Sequence, residues 1–174
     1  LDLLEETVTQ IDPKKKTIRL SNESILSYDS LVLATGSIPN KFGWPGENLK
    51  GVQGLYTKQD LENLEALTPS IQETVIVGGG LIGIELAEML HARGKKVTFL
   101  VREKSYWSGV LPKEESEMVN QHTKEHHVDL RLETELKSIE NDGNGRACAI
   151  ITNTGERIEC GFVGLTAGVH PNIH

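Results

Sequence analysis

Between Thr74 and Val101 the hydrophobic pattern changes period twice. Val75, Ile76 and Val77 form a continuous apolar run, Ile82, Leu86, Ala87 and Leu90 then recur on one helical face, and Val97 to Val101 is again nearly continuous. This predicts a strand, a tight turn, a helix ended by Gly94, and a second strand. Phe162 to Thr166 repeats the buried-strand pattern, and Val128 to Leu132 is a shorter version. Leu31, Val32 and Leu33 are also apolar throughout, which predicts a strand buried on both faces. Such a strand needs neighbours that residues 1–30 do not supply.

Elsewhere the pattern is weaker. Leu4 to Ile11, Thr17 to Leu20 and Ile25 to Tyr28 read as a β-meander, with turn chemistry at Asp12-Pro13-Lys14 and Ser21-Asn22-Glu23. Phe42 to Gly54 is rich in Gly, Pro and Asn and reads as a linker. Thr57 is placed to cap a short helix over Lys58 to Leu67, with Asp60 near its positive end and Pro69 just past its last turn. Pro112 precedes a polar helix from about Lys113 to His126. Leu136 to Ile139 and Ala147 to Ile151 flank Asn141-Asp142-Gly143-Asn144-Gly145 as arms of a hairpin, and Thr154-Gly155 turns the chain into Arg157 to Cys160.

The chain has 174 residues and a net charge of -7, which argues against nucleic acid or an anionic membrane as partner. No apolar run reaches transmembrane length and the first residues lack a basic, signal-like start, so a cytoplasmic location is expected. Cys148 and Cys160 lie in strand-like alternations and form no C-x-x-C, so both read as reduced structural thiols. His122 and His126 have the i, i+4 spacing that zinc uses, but no Glu stands at the catalytic position and no third ligand follows at a telling distance. They read as a polar helix face, and no metal site is expected.

The turn after Val77 carries the chemistry. Gly78, Gly80 and Gly83 give G-x-G-x-x-G, with Gly79 as an extra glycine, inside a strand–turn–helix–strand unit of about thirty residues. The first glycine permits the sharp turn, the second lets backbone approach a pyrophosphate, and the third lets helix pack on strand. Free N–H groups of the helix starting near Leu81 and Ile82 would hold the phosphates. Ala34-Thr35-Gly36-Ser37-Ile38-Pro39 is a second backbone-exposing loop of a type that ligands approach.

Two stretches join the glycine motif in a resemblance. Tyr28 to Pro39 resembles the Y-D-x-L-x-x-A-T-G-S-x-P segment of the FAD-dependent pyridine nucleotide-disulfide oxidoreductases. Thr166-Ala-Gly-Val-His-Pro-Asn resembles that family's second A-x-G-x-x-P-N segment. In that family the two segments bracket an inserted nicotinamide-nucleotide domain. The resemblance implies an α/β fold: a Rossmann-like βαβ nucleotide-binding domain with a parallel sheet and a β-meander, preceded by a partial FAD-domain β segment. It implies residues 1–43 as part of an FAD-binding domain, 44–168 as the NAD(P)H-binding domain and 169–174 as the return to the FAD domain. The family's own N-terminal FAD glycine motif, its redox cysteines, its Gly-Asp flavin segment and its dimerisation domain have no counterpart in this sequence.

Residue by residue, the resemblance implies a nucleotide site at Gly78, Gly79, Gly80, Leu81, Ile82, Gly83 and Gly168, and an FAD-side loop at Ala34, Thr35 and Gly36. Glu85 matches the family's acid near the nicotinamide, a catalytic position. Leu81 matches a position often filled by an aromatic gate. By the family's register the second strand closes at Val101, followed by Arg102 and Lys104, which favours a 2′-phosphate and so NADPH. Counting about twenty residues from the motif instead reaches Glu103, which would favour NADH. The implied function is the NAD(P)H-binding part of a flavin oxidoreductase passing hydride from nicotinamide to FAD and on to a disulfide, nitrite, oxygen or a small redox protein. The implied partners are the dinucleotide, the rest of the flavoenzyme and a second copy of it. A stand-alone dinucleotide-binding or sensor module without flavin is the alternative.

Overall fold

The computed structural model describes residues 2–173, which form two compact units that meet in sequence between Gly36 and Ser37. The first is the meander: β1 (Val8–Asp12), β2 (Thr17–Leu20) and β3 (Ile25–Ser27) pair antiparallel in that order. The Asp12 carboxylate closes the first turn by accepting the N–H groups of Lys14 and Lys15, both at 3.0 Å, and these bonds hold its pKa below the usual carboxylate value. The expected strand at Leu31 to Leu33 is not formed. Val32 is 85% exposed and Leu33 62%, because no strand of this unit lies beside them to complete a ladder or cover either face.

The second unit begins with β4 (Ser37–Pro39) and β5 (Val52–Gln53), followed by α1 (Lys58–Leu67), β6 (Glu73–Val77), α2 (Leu81–Ala92), β7 (Lys96–Leu100), α3 (Lys113–Glu125) and β8 (Asp129–Arg131). A hairpin and a further strand follow, β9 (Leu136–Asn141), β10 (Ala147–Thr152) and β11 (Arg157–Glu159), and the unit ends in β12 (Phe162–Leu165) and β13 (Val169–Pro171). Its centre is a five-stranded parallel sheet in the order β5-β12-β6-β7-β8. The continuous apolar runs are explained by what covers each face. Ile76, Phe99 and Phe162 join Leu64 of α1 and Leu86 and Leu90 of α2 in one core. Val75, Val77, Leu100 and Val163 face the other way, into a core shared with Leu136, Ile139 and Ile150 of the antiparallel sheet β9–β11. Each fully buried Leu, Ile, Val or Phe contributes roughly 1.5–3 kcal/mol of hydrophobic stabilisation.

The linker expected at Phe42 to Gly54 is instead docked structure. Trp44, Leu49 and Val52 pack on the second core, and β5 pairs with β12. The glycines that suggested a loop permit this docking: Gly46 (φ +90) passes so close to Ile139 that a Cβ would lie 2.3 Å from its carbonyl oxygen. Asn40 joins the two ends of the unit. Its N–H donates to the Gly168 carbonyl at 2.9 Å, its side-chain oxygen meets Nδ1 of His170 at 2.8 Å, and β4 pairs antiparallel with β13. Among the described residues no helix is long and apolar enough to cross a membrane.

Candidate functional site

Sheet topology decides where this unit can hold a ligand. From β6 the chain moves outward through α2, β7, α3 and β8, then crosses by β9–β11 to place β12 on the other side of β6. The segments leaving β6 and β12 therefore diverge at their carboxyl ends, the switch point at which doubly wound sheets open a crevice. A cleft of about 930 Å³ lies there, bordered by Gly79, Gly80, Arg102, Trp107, Thr166 and Gly168 among others.

The glycines of the motif do separate work. Gly78 has φ +113, and a Cβ on it would strike the Thr166 carbonyl oxygen at 2.7 Å. Gly83, in the first turn of α2, packs on the strand ends: its Cβ would come 2.3 Å from the Gly78 oxygen, 2.8 Å from Thr166 Oγ1 and 3.1 Å from Phe99. Gly80 differs. Its φ of -93 suits any residue, and the nearest atom to a Cβ there is 3.9 Å away. Neither backbone strain nor protein packing calls for glycine at Gly80, and the space beside it belongs to the cleft.

Gly80 is also the N-cap of α2, and no side chain caps that helix or adds an acid to its first turn. In α1 the expected Thr57 cap is formed, and Asp60 returns a bond to the N-cap backbone to complete a capping box. The first-turn N–H groups of α2 are thus left with a positive field at the cleft, an arrangement suited to phosphate. Thr166 fixes the opposite wall: buried, it donates through Oγ1 toward the Val77 and Gly78 carbonyls at 3.0 and 3.1 Å, tying the end of β12 to the glycine turn.

Of the sequence-predicted residues, Gly79, Gly80, Leu81, Ile82, Arg102 and Gly168 border the cleft. Gly78 and Gly83 shape it from behind. Val101 is fully buried beneath Gly79, 3.0 Å from where a Cβ there would sit, so it supports the loop and presents no side chain to the cleft. Arg102 is exposed and paired with Glu103 at 2.9 Å, a hydrogen bond that raises its pKa. Lys104 and Glu85 are exposed and outside the cleft lining, and Glu85 makes no side-chain hydrogen bond or ion pair among the described residues. Ala34, Thr35 and Gly36 belong to the first unit, where Gly36 takes φ +74 with nothing within 4 Å of a Cβ. His122 and His126 lie side by side on α3 with ring centroids 4.2 Å apart and planes tilted by 50°, and among the described residues no group of three His, Cys, Asp or Glu side chains could hold a metal.

Three residues of the site escaped the sequence reading. Thr166 opens the second segment of the resemblance, but nothing in the sequence marks its bond to the glycine turn. Tyr106 and Trp107 belong to no motif of the sequence; Tyr106 is buried against Phe99 and donates its hydroxyl to the Gly80 carbonyl at 3.1 Å. Burial pushes that phenol up to about 12.

The profile of the pyridine nucleotide-disulphide oxidoreductases matches residues 2–174. Rhodocoxin reductase of Rhodococcus erythropolis is 34% identical over 95% of this chain and 39% of its own length. The NAD(P)H coenzyme A polysulfide/persulfide reductase of Pyrococcus horikoshii is 33% identical over 98% of this chain and 38% of its own. Among solved structures, an NAD-dependent persulfide reductase from A. fulgidus superposes with a TM-score of 0.89 at 26% identity, covering 98% of this chain and 32% of that one. The chain thus spans about two-fifths of the length of these curated relatives. With the glycine turn, the switch-point cleft and a match from end to end, the chain belongs to the pyridine nucleotide-disulphide oxidoreductase family.

Proposed function

We propose that the second unit binds a nicotinamide dinucleotide in the switch-point cleft, as the NAD(P)H-binding part of a flavin-dependent oxidoreductase. The observation that carries this reading is Gly80. It stands at an uncapped helix N-terminus, at the end of a central strand, and its lack of a side chain leaves room in the cleft that no protein atom fills. The pyrophosphate would lie on the N–H groups from Gly80 to Ile82, with Thr166 and Gly168 on the facing wall. Bound there, the dinucleotide would supply hydride for FAD, from which electrons pass to an acceptor such as a disulfide, nitrite, oxygen or a small redox protein.

The remaining assignments belong to the same proposal. Residues 1–43 and 169–174 are parts of the flavin domain around a dinucleotide domain at 44–168, and Ala34, Thr35 and Gly36 face FAD. Glu85, exposed and unpaired among the described residues, acts at the nicotinamide end in the whole flavoenzyme, which is a cytoplasmic homodimer. Arg102 favours NADPH once a 2′-phosphate displaces Glu103 from it. Titrating the chain with NADH and NADPH, following reduced-nicotinamide fluorescence, tests the core of this reading. Saturable binding of either at micromolar concentration is expected, and binding of neither would overturn it.

A further inference from the structure

The loop between β7 and α3 carries a set of contacts that phosphate binding does not require. Tyr106 reaches the Gly80 carbonyl with its hydroxyl, its N–H donates to Asn120 Oδ1 at 2.9 Å, and its carbonyl accepts from Ser116 Oγ. One residue therefore links the N-cap of α2 to two positions on α3. Trp107 follows it with φ +55, a left-handed conformation that bulky residues rarely adopt. Its indole stacks on the Tyr106 ring, with centroids 5.8 Å apart and planes 23° apart, and borders the cleft beside Arg102 and Glu103.

A position at φ +55 suits Gly or Asn, and filling it with Trp strains the backbone. A residue that only filled core would gain nothing from that conformation. Trp107 is only half-buried, and its loop leaves the carboxyl end of β7, the strand next to the glycine turn. In a doubly wound sheet whose first turn holds the pyrophosphate, the adenosine half extends over that neighbouring strand end. An aromatic ring braced there from behind offers a planar, desolvated face to a base.

We propose that Trp107 is the stacking platform for the adenine ring and that Tyr106 is a positioning residue, the strut holding that platform in register with the glycine loop. The inference rests on the dinucleotide reading and adds to it where the base lies and what holds it. It also makes base and phosphate recognition interdependent, since the hydroxyl that braces the platform fixes the first carbonyl of α2.

The test is made on the 174-residue chain. Nuclear Overhauser effects are measured between indole protons and the adenine H2 and H8 of NADH, alongside calorimetric NADH affinities for Trp107→Gly, Trp107→Phe and Tyr106→Phe. Trp107→Gly suits φ +55, so it removes the ring without adding backbone strain. The expected result is adenine–indole effects in the unsubstituted chain that vanish in Trp107→Gly, with affinity falling roughly tenfold or more. Trp107→Phe should recover most of that loss, and Tyr106→Phe should weaken NADH severalfold while the adenine–indole effects diminish. NADH bound at full affinity by Trp107→Gly, or bound to the unsubstituted chain with no adenine–indole effect, would overturn this inference and leave the dinucleotide reading standing. Absence of NADH binding by the unsubstituted chain would overturn both.

Discussion

A Cβ on Gly83 would lie 2.3 Å from the carbonyl oxygen of Gly78, whereas at Gly80 the nearest atom would be 3.9 Å away. Two glycines of one motif thus answer to different constraints, protein packing at Gly83 and ligand space at Gly80. Gly83→Ala should push α2 off the strand ends and destabilise the fold by about 1–3 kcal/mol, as overpacking does. Gly80→Ser should do the reverse. Its hydroxyl can cap the helix and add a few tenths of a kcal/mol, while filling the phosphate position and lowering dinucleotide affinity roughly tenfold or more. Thermal denaturation and NADH titration of both variants check the pair. A Gly80→Ser chain that binds normally would show that no phosphate sits at the turn.

Arg102 and Glu103 form an exposed pair at the cleft, and Glu135 adds to the negative field around the guanidinium. A 2′-phosphate must compete with Glu103 for the same donors. Glu103→Gln is expected to raise NADPH affinity severalfold relative to NADH, and Arg102→Ala to lower NADPH far more than NADH. Dissociation constants for both nucleotides give the ratio. If it is unmoved by either change, neither side chain reaches the ribose 2′ position.

What the sequence made legible follows from how each feature is encoded. The β6–α2–β7 unit was readable because its periodicity, glycine spacing and helix end all agree locally, and the Thr57 cap was readable from Thr57 and Asp60 alone. Leu31 to Leu33 show the limit of such reading: apolar residues state what surroundings a strand needs, not whether they are present. The docking of Trp44, Leu49 and Val52 depends on β12, which is remote in sequence and leaves no trace in local composition. Thr166 and Tyr106 became site residues for the same reason. Each acts on the glycine turn through a hydrogen bond that exists only once β12 and the β7–α3 loop have been brought beside it.

Cys148 and Cys160 face each other near the ends of β10 and β11, where the Cys160 N–H donates to the Cys148 carbonyl at 3.1 Å. Their environments differ. Cys160 is buried, which pushes its thiol up to about 12, whereas Cys148 is partly exposed. Because the thiolate is the nucleophile, iodoacetamide near pH 8 should modify Cys148 and spare Cys160 until the chain is unfolded by urea. Peptide mass spectrometry reads the two sites separately. Equal labelling of both in the folded chain would mean that the edge at β11 opens readily.

Tyr106 gives the fold an alkaline limit. Burial raises its phenol from 10.0 to about 12, so the folded chain holds that proton more tightly than the unfolded chain does. Its contribution to stability is therefore complete below about pH 10 and is lost as pH rises toward about 12. Cys160, raised from 9.0 to about 12, acts in the same sense but begins about one unit lower. Urea unfolding measured between about pH 8 and 11.5 should show stability falling across this window. Tyr106→Phe should reduce the slope above about pH 10, where both groups act, and leave unchanged the decline between about pH 9 and 10, which is due to Cys160. Loss of the bond to Gly80 will lower the whole curve, but a constant offset cannot change its slope, so the slope isolates the titration of the phenol. An unchanged alkaline slope in Tyr106→Phe would mean that the hydroxyl reaches solvent and does not brace the glycine turn.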